Sequence, residues 1–131
     1  MSLQITYEPE SGYIEARYEG DLTYGAALAM LSAIDNFVAS NPLVHRLYDL
    51  NSATLDWNVE DIHAILKLID AKSIEDASET KVAFVHSDET ESAIIRLFIT
   101  LANKRFSRTI KYFSNNKAAL DWFTQSNKKQ K

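Results

Sequence analysis

The sequence predicts an α/β domain built on a mostly parallel five-stranded sheet with one antiparallel edge strand, in the order β-β-α-β-α-β-α-β-α. Three observations predict it. Two stretches with strict period-two alternation open the chain on either side of a tight turn, as in a hairpin. Behind them, apolar stretches of strand length alternate with amphipathic stretches of helix length, the pattern of a parallel sheet with right-handed crossovers. Finally, 131 residues with 46% hydrophobic and 24% charged content suit one domain, residues 1–131, with a core that needs no staples.

The elements follow in order. Leu3, Ile5 and Tyr7 alternate with Gln4, Thr6 and Glu8, the signature of a half-buried strand. Pro9, Glu10, Ser11 and Gly12 make the turn, and Ile14, Ala16 and Tyr18 alternate with Glu15, Arg17 and Glu19 on the returning strand. Thr23 is placed to cap a first helix striped by Tyr24, Ala27, Leu28, Leu31, Ile34 and Val38, which Asn41-Pro42 stops. A third strand spans 43–50 and runs out into a polar loop, Asn51-Ser52-Ala53-Thr54. Asn58 caps a second helix whose apolar face is Val59, Ile62, Ile65, Leu66 and Ile69, with Trp57 as a staple onto Ile62. A polar linker over 72–80 leads to a short apolar strand, 81–86, buried on both faces. Asp88 and Glu91 form a capping-box-like start to a third helix striped by Ile94, Leu97, Phe98 and Leu101. A strand over 109–113 follows, and Ser114 caps a last helix carrying Ala119, Leu120, Trp122 and Phe123.

Composition narrows the function classes. No run of about eighteen apolar residues exists, so no integral membrane segment is expected. Met1-Ser2-Leu3-Gln4 lacks the basic and apolar regions of a signal peptide. The absence of cysteine removes disulfides, thiolate catalysis and thiolate metal sites, and fits a reducing, cytoplasmic setting. The net charge of −4 is unevenly spread: residues 1–100 hold six Lys or Arg against seventeen Asp or Glu, and residues 101–131 hold eight against one. Lys104 and Arg105 read as the cationic end of a helix, and about 124–131 as a flexible basic tail. The body of the domain is acidic and repels nucleic acid, which is not expected as a partner.

Side chains with chemistry gather in prospect at the carboxyl edge of the sheet, where open α/β sheets place ligands and partners. Asp49 is expected at the end of the third strand and His86 at the end of the fourth. An Asp-His pair beside Ser52 or Ser87 sketches a nucleophilic site, but no Gly-x-Ser-x-Gly elbow and no Gly-rich oxyanion loop accompanies it. His63 falls at the edge of its helix stripe, and no His-x-x-x-His or His-x-His spacing occurs, so no metal is expected. No Gly-rich phosphate loop is present, and no cofactor is expected.

The order of elements, Tyr48-Asp49-Leu50 before the second helix, and the ending Tyr112-Phe113-Ser114-Asn115-Asn116-Lys117-Ala118-Ala119-Leu120-Asp121-Trp122-Phe123 resemble the SpoIIAA-like, STAS/SEC14-type domains, relatives of the anti-sigma factor antagonists. The resemblance runs from about Ile5 to Phe123. It implies a non-enzymatic regulatory or protein-interaction module of bacterial kind. It also implies a phosphorylatable hydroxyl near Ser52, since the antagonists carry an Asp-Ser-Ser/Thr-Gly-like motif in the matching region. Here that Gly is missing, the second helix opens six positions after Ser52, and Glu60 and Asp61 fill the first turn where a phosphate would sit. These departures argue against a phospho-switch at Ser52.

The expected working surface is therefore Asp49, Asn51, Ser52 and Thr54, with His86 and Ser87 on the neighbouring loop, acting by polar recognition of a protein. The alternatives are a binder of a small, apolar or lipid ligand in the same crevice, and a cryptic hydrolase using His86. Self-association as a homodimer is also expected. Sequential crossovers put successive helices on one side of the sheet, which leaves the other side of the central strands in need of cover.

Overall fold

The structure, a computed structural model, describes residues 2–40, 44–55, 57–71, 81–105 and 109–124. The expected helix stop at Asn41-Pro42, the linker 72–80 and the tail 125–131 lie outside the described residues, as do the side chains of Val38 and Ile69. The chain runs β1 (Ser2–Glu8), β2 (Tyr13–Leu22), α1 (Tyr24–Ser40), β3 (His45–Leu55), α2 (Val59–Ala71), β4 (Lys81–Val85), α3 (Glu89–Arg105), β5 (Thr109–Phe113) and α4 (Asn116–Phe123). The strands lie in sequence order, with β1 antiparallel to β2 and every other pair parallel. Gly12, at φ +73°, turns the hairpin; its amide donates to the Glu8 carbonyl and its own carbonyl accepts from His45, which seats the start of β3 beside the turn.

Local capping explains where the helices begin. Thr23 Oγ1 accepts the Ala26 amide at the start of α1. Asn58 and Asp61 cap α2 reciprocally, each side chain accepting the other's backbone amide. At α4 the cap is Asn115, whose side chain accepts the Ala118 amide, and not Ser114 one residue earlier. Asp88 accepts the Glu91 amide at the start of α3, but the Glu91 carboxylate does not return the bond; it reaches across to β3.

Helices α1, α2 and α3 share one face of the sheet, as right-handed crossovers between sequential strands require. Ile14, Ala16, Leu22, Tyr48, Leu50, Val82 and Phe84 supply the sheet side of this main core. Met30 and Ile34 of α1, Ile62, Ile65 and Leu66 of α2, and Ile95, Phe98 and Ala102 of α3 supply the helical side. Two expected stripe positions fall elsewhere: Val59 and Leu97 are exposed. On α3 the buried line is Ile95, Phe98, Ile99 and Ala102, one position out of phase with Leu97. Trp57 packs edge-on against Phe98, joining the entry of α2 to α3.

The second face of the central strands is covered within the chain. Helix α4 crosses to that side, and Ala119, Trp122 and Phe123 bury themselves against Leu47, Ala83 and Val85. The exposed face that grounded the expectation of self-association is therefore closed over the central strands. Among the described residues no strand follows α4, so none obliges it to take the crossover side.

A polar ring holds the end of α4. Lys81 Nζ donates to the Trp122 carbonyl at 2.7 Å, where the last turn leaves its carbonyls without helical partners. The ammonium groups of Lys81 and Lys111 each lie 5.3 Å from the Trp122 ring centre. Burial, and then the charge of Lys111, push the Lys81 ammonium below its usual range. His45 stacks on Phe123 at 5.1 Å, and its Nδ1 accepts the Lys81 backbone amide at 3.0 Å. Burial, and then the nearby Lys81 charge, lower the His45 imidazole from its ordinary value, so the fold holds it neutral.

Trp122→Ala should cost about 3–5 kcal/mol, the usual loss for a large buried aromatic, read as a shift in the denaturant midpoint at unchanged slope. A loss under about 1 kcal/mol would mean that α4 contributes no docked surface. His45 gives a pH signature. Its folded-state affinity for the proton is depressed, so its contribution is complete above the unfolded value of about 6.5 and is lost as pH falls below it, levelling off beneath the folded value. His45→Asn keeps an acceptor but no titration in this range; denaturation of the two proteins across the range should show a smaller acid-side loss in the variant than in the parent.

Candidate functional site

The carboxyl edge is shaped by a mismatch in strand length. β3 continues six residues past Asp49, the last of its residues paired with β4, whereas β4 ends at Val85. The stretch Asn51-Ser52-Ala53-Thr54 is therefore not a loop. It is strand, held on its other side by β2, with Ser52, Ala53, Thr54 and Leu55 opposite Glu19, Gly20, Asp21 and Leu22. Between Arg17↔Asp49 and Glu19↔Ser52 the register shifts, so that β3 takes three steps to the two of β2. This bulge breaks the alternation: Leu50 and Ala53 both reach the main core, and Asn51, Ser52 and Thr54 are left exposed.

Asp49 sits at the root of the bulge and is only 5% exposed. Its Oδ1 accepts from the Asn51 amide at 3.1 Å and from Asn51 Nδ2 at 3.0 Å. Its Oδ2 accepts from Asn116 Nδ2 at 3.1 Å, from the first residue of α4, and lies 3.3 Å from Arg17 Nε on β2. Arg17 also reaches Glu15 at 3.5 Å. Burial raises the Glu15 carboxyl above its ordinary range, with Arg17 pulling the other way and Asp49 adding to the rise. Burial and the Glu15 charge likewise raise the Tyr13 phenol next to it. Asp49 is thus a carboxylate saturated by its own chain.

Beyond β4, side chains stand in for a missing strand along the free margin of β3. His86, buried, places Nε2 2.9 Å from the Ala53 carbonyl. Its Nδ1 accepts the Asp88 amide, so the proton lies on Nε2 and is donated to Ala53. Glu91 Oε1 accepts the Leu55 amide at 2.7 Å, and Asn51 Oδ1 accepts the Ser87 amide at 2.8 Å. The His86 main chain is fixed as well, by the Phe113 carbonyl and the Tyr112 hydroxyl.

Of the six residues expected here, Asp49, Asn51 and Ser87 are joined in one bonded chain. His86 belongs to the same edge but bonds Ala53 and Asp88, and Asp49 spends its oxygens on Asn51, Asn116 and Arg17. Both His86 ring nitrogens are occupied, and Asp49 makes no bond to it. Ser52, Thr54 and Ser87 are exposed. Sequence reading passed over Arg17, Glu91 and Asn116. The first looked like an outward charge on a simple strand, the second like half of a local cap, and the third like one more residue after a cap. Around the edge the exposed acidic residues are Glu19 and Asp21 at the end of β2, Glu60 in α2, and Asp88 and Glu89 at the start of α3, with Arg17 and Lys117 as exposed cations near Asp49 and Asn116. Among the described residues no group of three or more His, Asp or Glu is arranged to hold a metal ion, and no helix is long and apolar enough to cross a membrane.

The chain matches no protein-family model and no curated protein. It is similar in structure to an uncharacterized protein of Shewanella loihica PV-4, from the DUF3478 family with a SpoIIAA-like fold, at a TM-score of 0.60 and 19% identity over 93% of this chain and 92% of that one. It is also similar to the anti-sigma factor antagonist SpoIIAA in its unphosphorylated form, at a TM-score of 0.54 and 9% identity over 92% of this chain and 96% of the other. Agreement that spans nearly the whole of each chain, through a sheet with one antiparallel edge strand and four helices, gives this chain the SpoIIAA-like fold.

Proposed function

We propose that the chain is a non-enzymatic, STAS-like regulatory module that binds a protein through the carboxyl edge of its sheet. The observation that carries this reading is the exposed row Asn51, Ser52, Thr54 and Ser87 on a frame fixed by Asp49, His86 and Glu91. Small polar groups on a rigid support are suited to recognition, because little side-chain freedom is lost when they are engaged. The acidic residues around them suit a basic surface on the partner, with association that weakens as salt rises. One structural neighbour is by its name an antagonist of an anti-sigma factor, which agrees with a protein as partner. Nucleic acid is disfavoured by the same acidic rim, and a cytoplasmic setting fits the absence of cysteine.

Phosphorylation at Ser52 has little to recommend it as the switch. Ser52 lies within β3 opposite Glu19, so added negative charge would face a carboxylate across the strands instead of a free helix end. A photo-crosslinking residue placed in turn at Ser52, Thr54 and Ser87 in the native host should yield an adduct of discrete mass. The same residue at Lys104, exposed near the end of α3, should not; equal labelling at both sets would remove the carboxyl edge as the binding surface.

Catalysis at His86 would require it to give up the bond from Nε2 to Ala53 or the one at Nδ1 from Asp88, each of which holds the edge in place. Ester and phosphoester substrates should therefore show no turnover. Turnover that disappears in a folded His86→Ala variant would make the chain a hydrolase.

A further inference from the structure

The sheet ends on β1 and β5, and the two edges differ. β5 is five residues long and has α3 and α4 against it. β1 is seven residues long, and all of them are exposed except Leu3, which is half-buried. Leu3, Ile5 and Tyr7 stand opposite Tyr18, Ala16 and Ile14, so they lie on the face that carries α1. The helix covers this strip only in part. Tyr7 rests edge-on against Phe37 at 4.7 Å, yet Ile5 and Tyr7 each remain 41% exposed. Edge strands are usually guarded by proline, lysine, a bulge or an inward charge. β1 holds no Pro, Gly, Lys or Arg, and its register with β2 runs unbroken from Ser2↔Glu19 to Glu8↔Tyr13.

We infer that β1 pairs antiparallel with β1 of a second copy of this chain, about a two-fold axis normal to the sheet that passes midway between the two Ile5 residues. In that register the strand is complementary to itself. Ile5 faces Ile5, Leu3 faces Tyr7, Gln4 faces Thr6 and Ser2 faces Glu8 of the second copy. Apolar side chains meet apolar ones, and the strand's sole charge meets a hydroxyl. The axis keeps Leu3, Ile5 and Tyr7 of both copies on one face, in the trough between the two α1 helices. Sliding by one residue would set Leu3 against Thr6 and turn the second copy over, losing that shared apolar strip. Apolar cross-strand pairs are the stabilising unit of such a ladder, and a patch that matches itself is what a two-fold dimer needs. The interface is small, so the association is weak, and it leaves the carboxyl edge free.

Light scattering of the full chain from about 10 to about 500 µM should show a mass rising towards the dimer, the range expected of a weak interface. Ile5→Lys sets two ammonium groups against each other on the axis and should hold the protein monomeric, with its circular dichroism unchanged. Because the chain has no cysteine, single cysteines give an independent reading of register. Under mild oxidation Ile5→Cys should form a disulfide-linked dimer, because only this position faces its own copy within bonding distance, whereas Gln4→Cys and Thr6→Cys should form little. A parent chain that stays monomeric at about 500 µM, a dimer that Ile5→Lys leaves intact, or cross-linking as strong at Gln4→Cys as at Ile5→Cys would each overturn the pairing.

Discussion

Asp49 carries a charge into the interior at the point where β3 takes up its extra residue, and the geometry of the carboxyl edge follows from how that charge is met. An ionised carboxylate taken out of water without partners costs several kcal/mol. Here three N–H groups, from the Asn51 backbone and side chain and from Asn116, converge on it together with the Arg17 guanidinium as an ion-pair partner. These donors come from β2, from the bulge in β3 and from the first residue of α4. The cost of the buried charge is thereby turned into a requirement that three separate elements sit in one arrangement. Arg17 is the outermost of the four, with about half of its side chain in solvent, so its share is the most screened. The amides of Asn51 and Asn116 do the more local work of fixing the bulge and the start of α4.

The two ends of α4 are held by opposite means. Its first residue answers a buried anion, and its last turn receives the Lys81 ammonium on a carbonyl left open by the end of the helix. Between these polar ties lie Ala119, Trp122 and Phe123 on Leu47, Ala83 and Val85. A helix of eight residues has little stability of its own. Its place on the sheet rests on this small core and on the ties at its ends, which is why the second face of the central strands is closed by so short a segment.

Much of the fold was legible in the residues because local chemistry and global arrangement agree there. The alternation of β1 and β2, Gly12 in the turn, the caps at Thr23 and Asn58 and the apolar β4 each point to the element that forms. What was not legible depends on partners distant in sequence. Asn51-Ser52-Ala53-Thr54 is polar and non-alternating, which locally means loop; only pairing with Glu19 to Leu22 of β2 makes it strand. Leu97 and Ile95 are equally apolar, and the sheet beneath α3 decides which is buried. Ser114 and Asn115 are both good caps, and it is Asn115, extended and directly before the first residue of α4, whose side chain accepts the Ala118 amide. The side of the sheet taken by α4 was beyond the crossover rule, which governs a helix only when another strand follows it. At the carboxyl edge Asp49 and His86 are braces for the groups around them, a role set by bonds to Asn51, Asn116, Ala53 and Asp88 that residue type alone does not display.

The length by which β3 outruns β4 has one more implication. A strand with an unpaired margin is an open seat for an extended peptide, which could add itself there by main-chain bonds alone. In this chain His86 occupies the Ala53 carbonyl, Glu91 the Leu55 amide, and Asn51 draws the Ser87 backbone over the gap. The seat is taken by the protein's own side chains. An extended peptide would find the Ala53 carbonyl and the Leu55 amide already bonded, so that side chains and hydroxyls are what this edge presents.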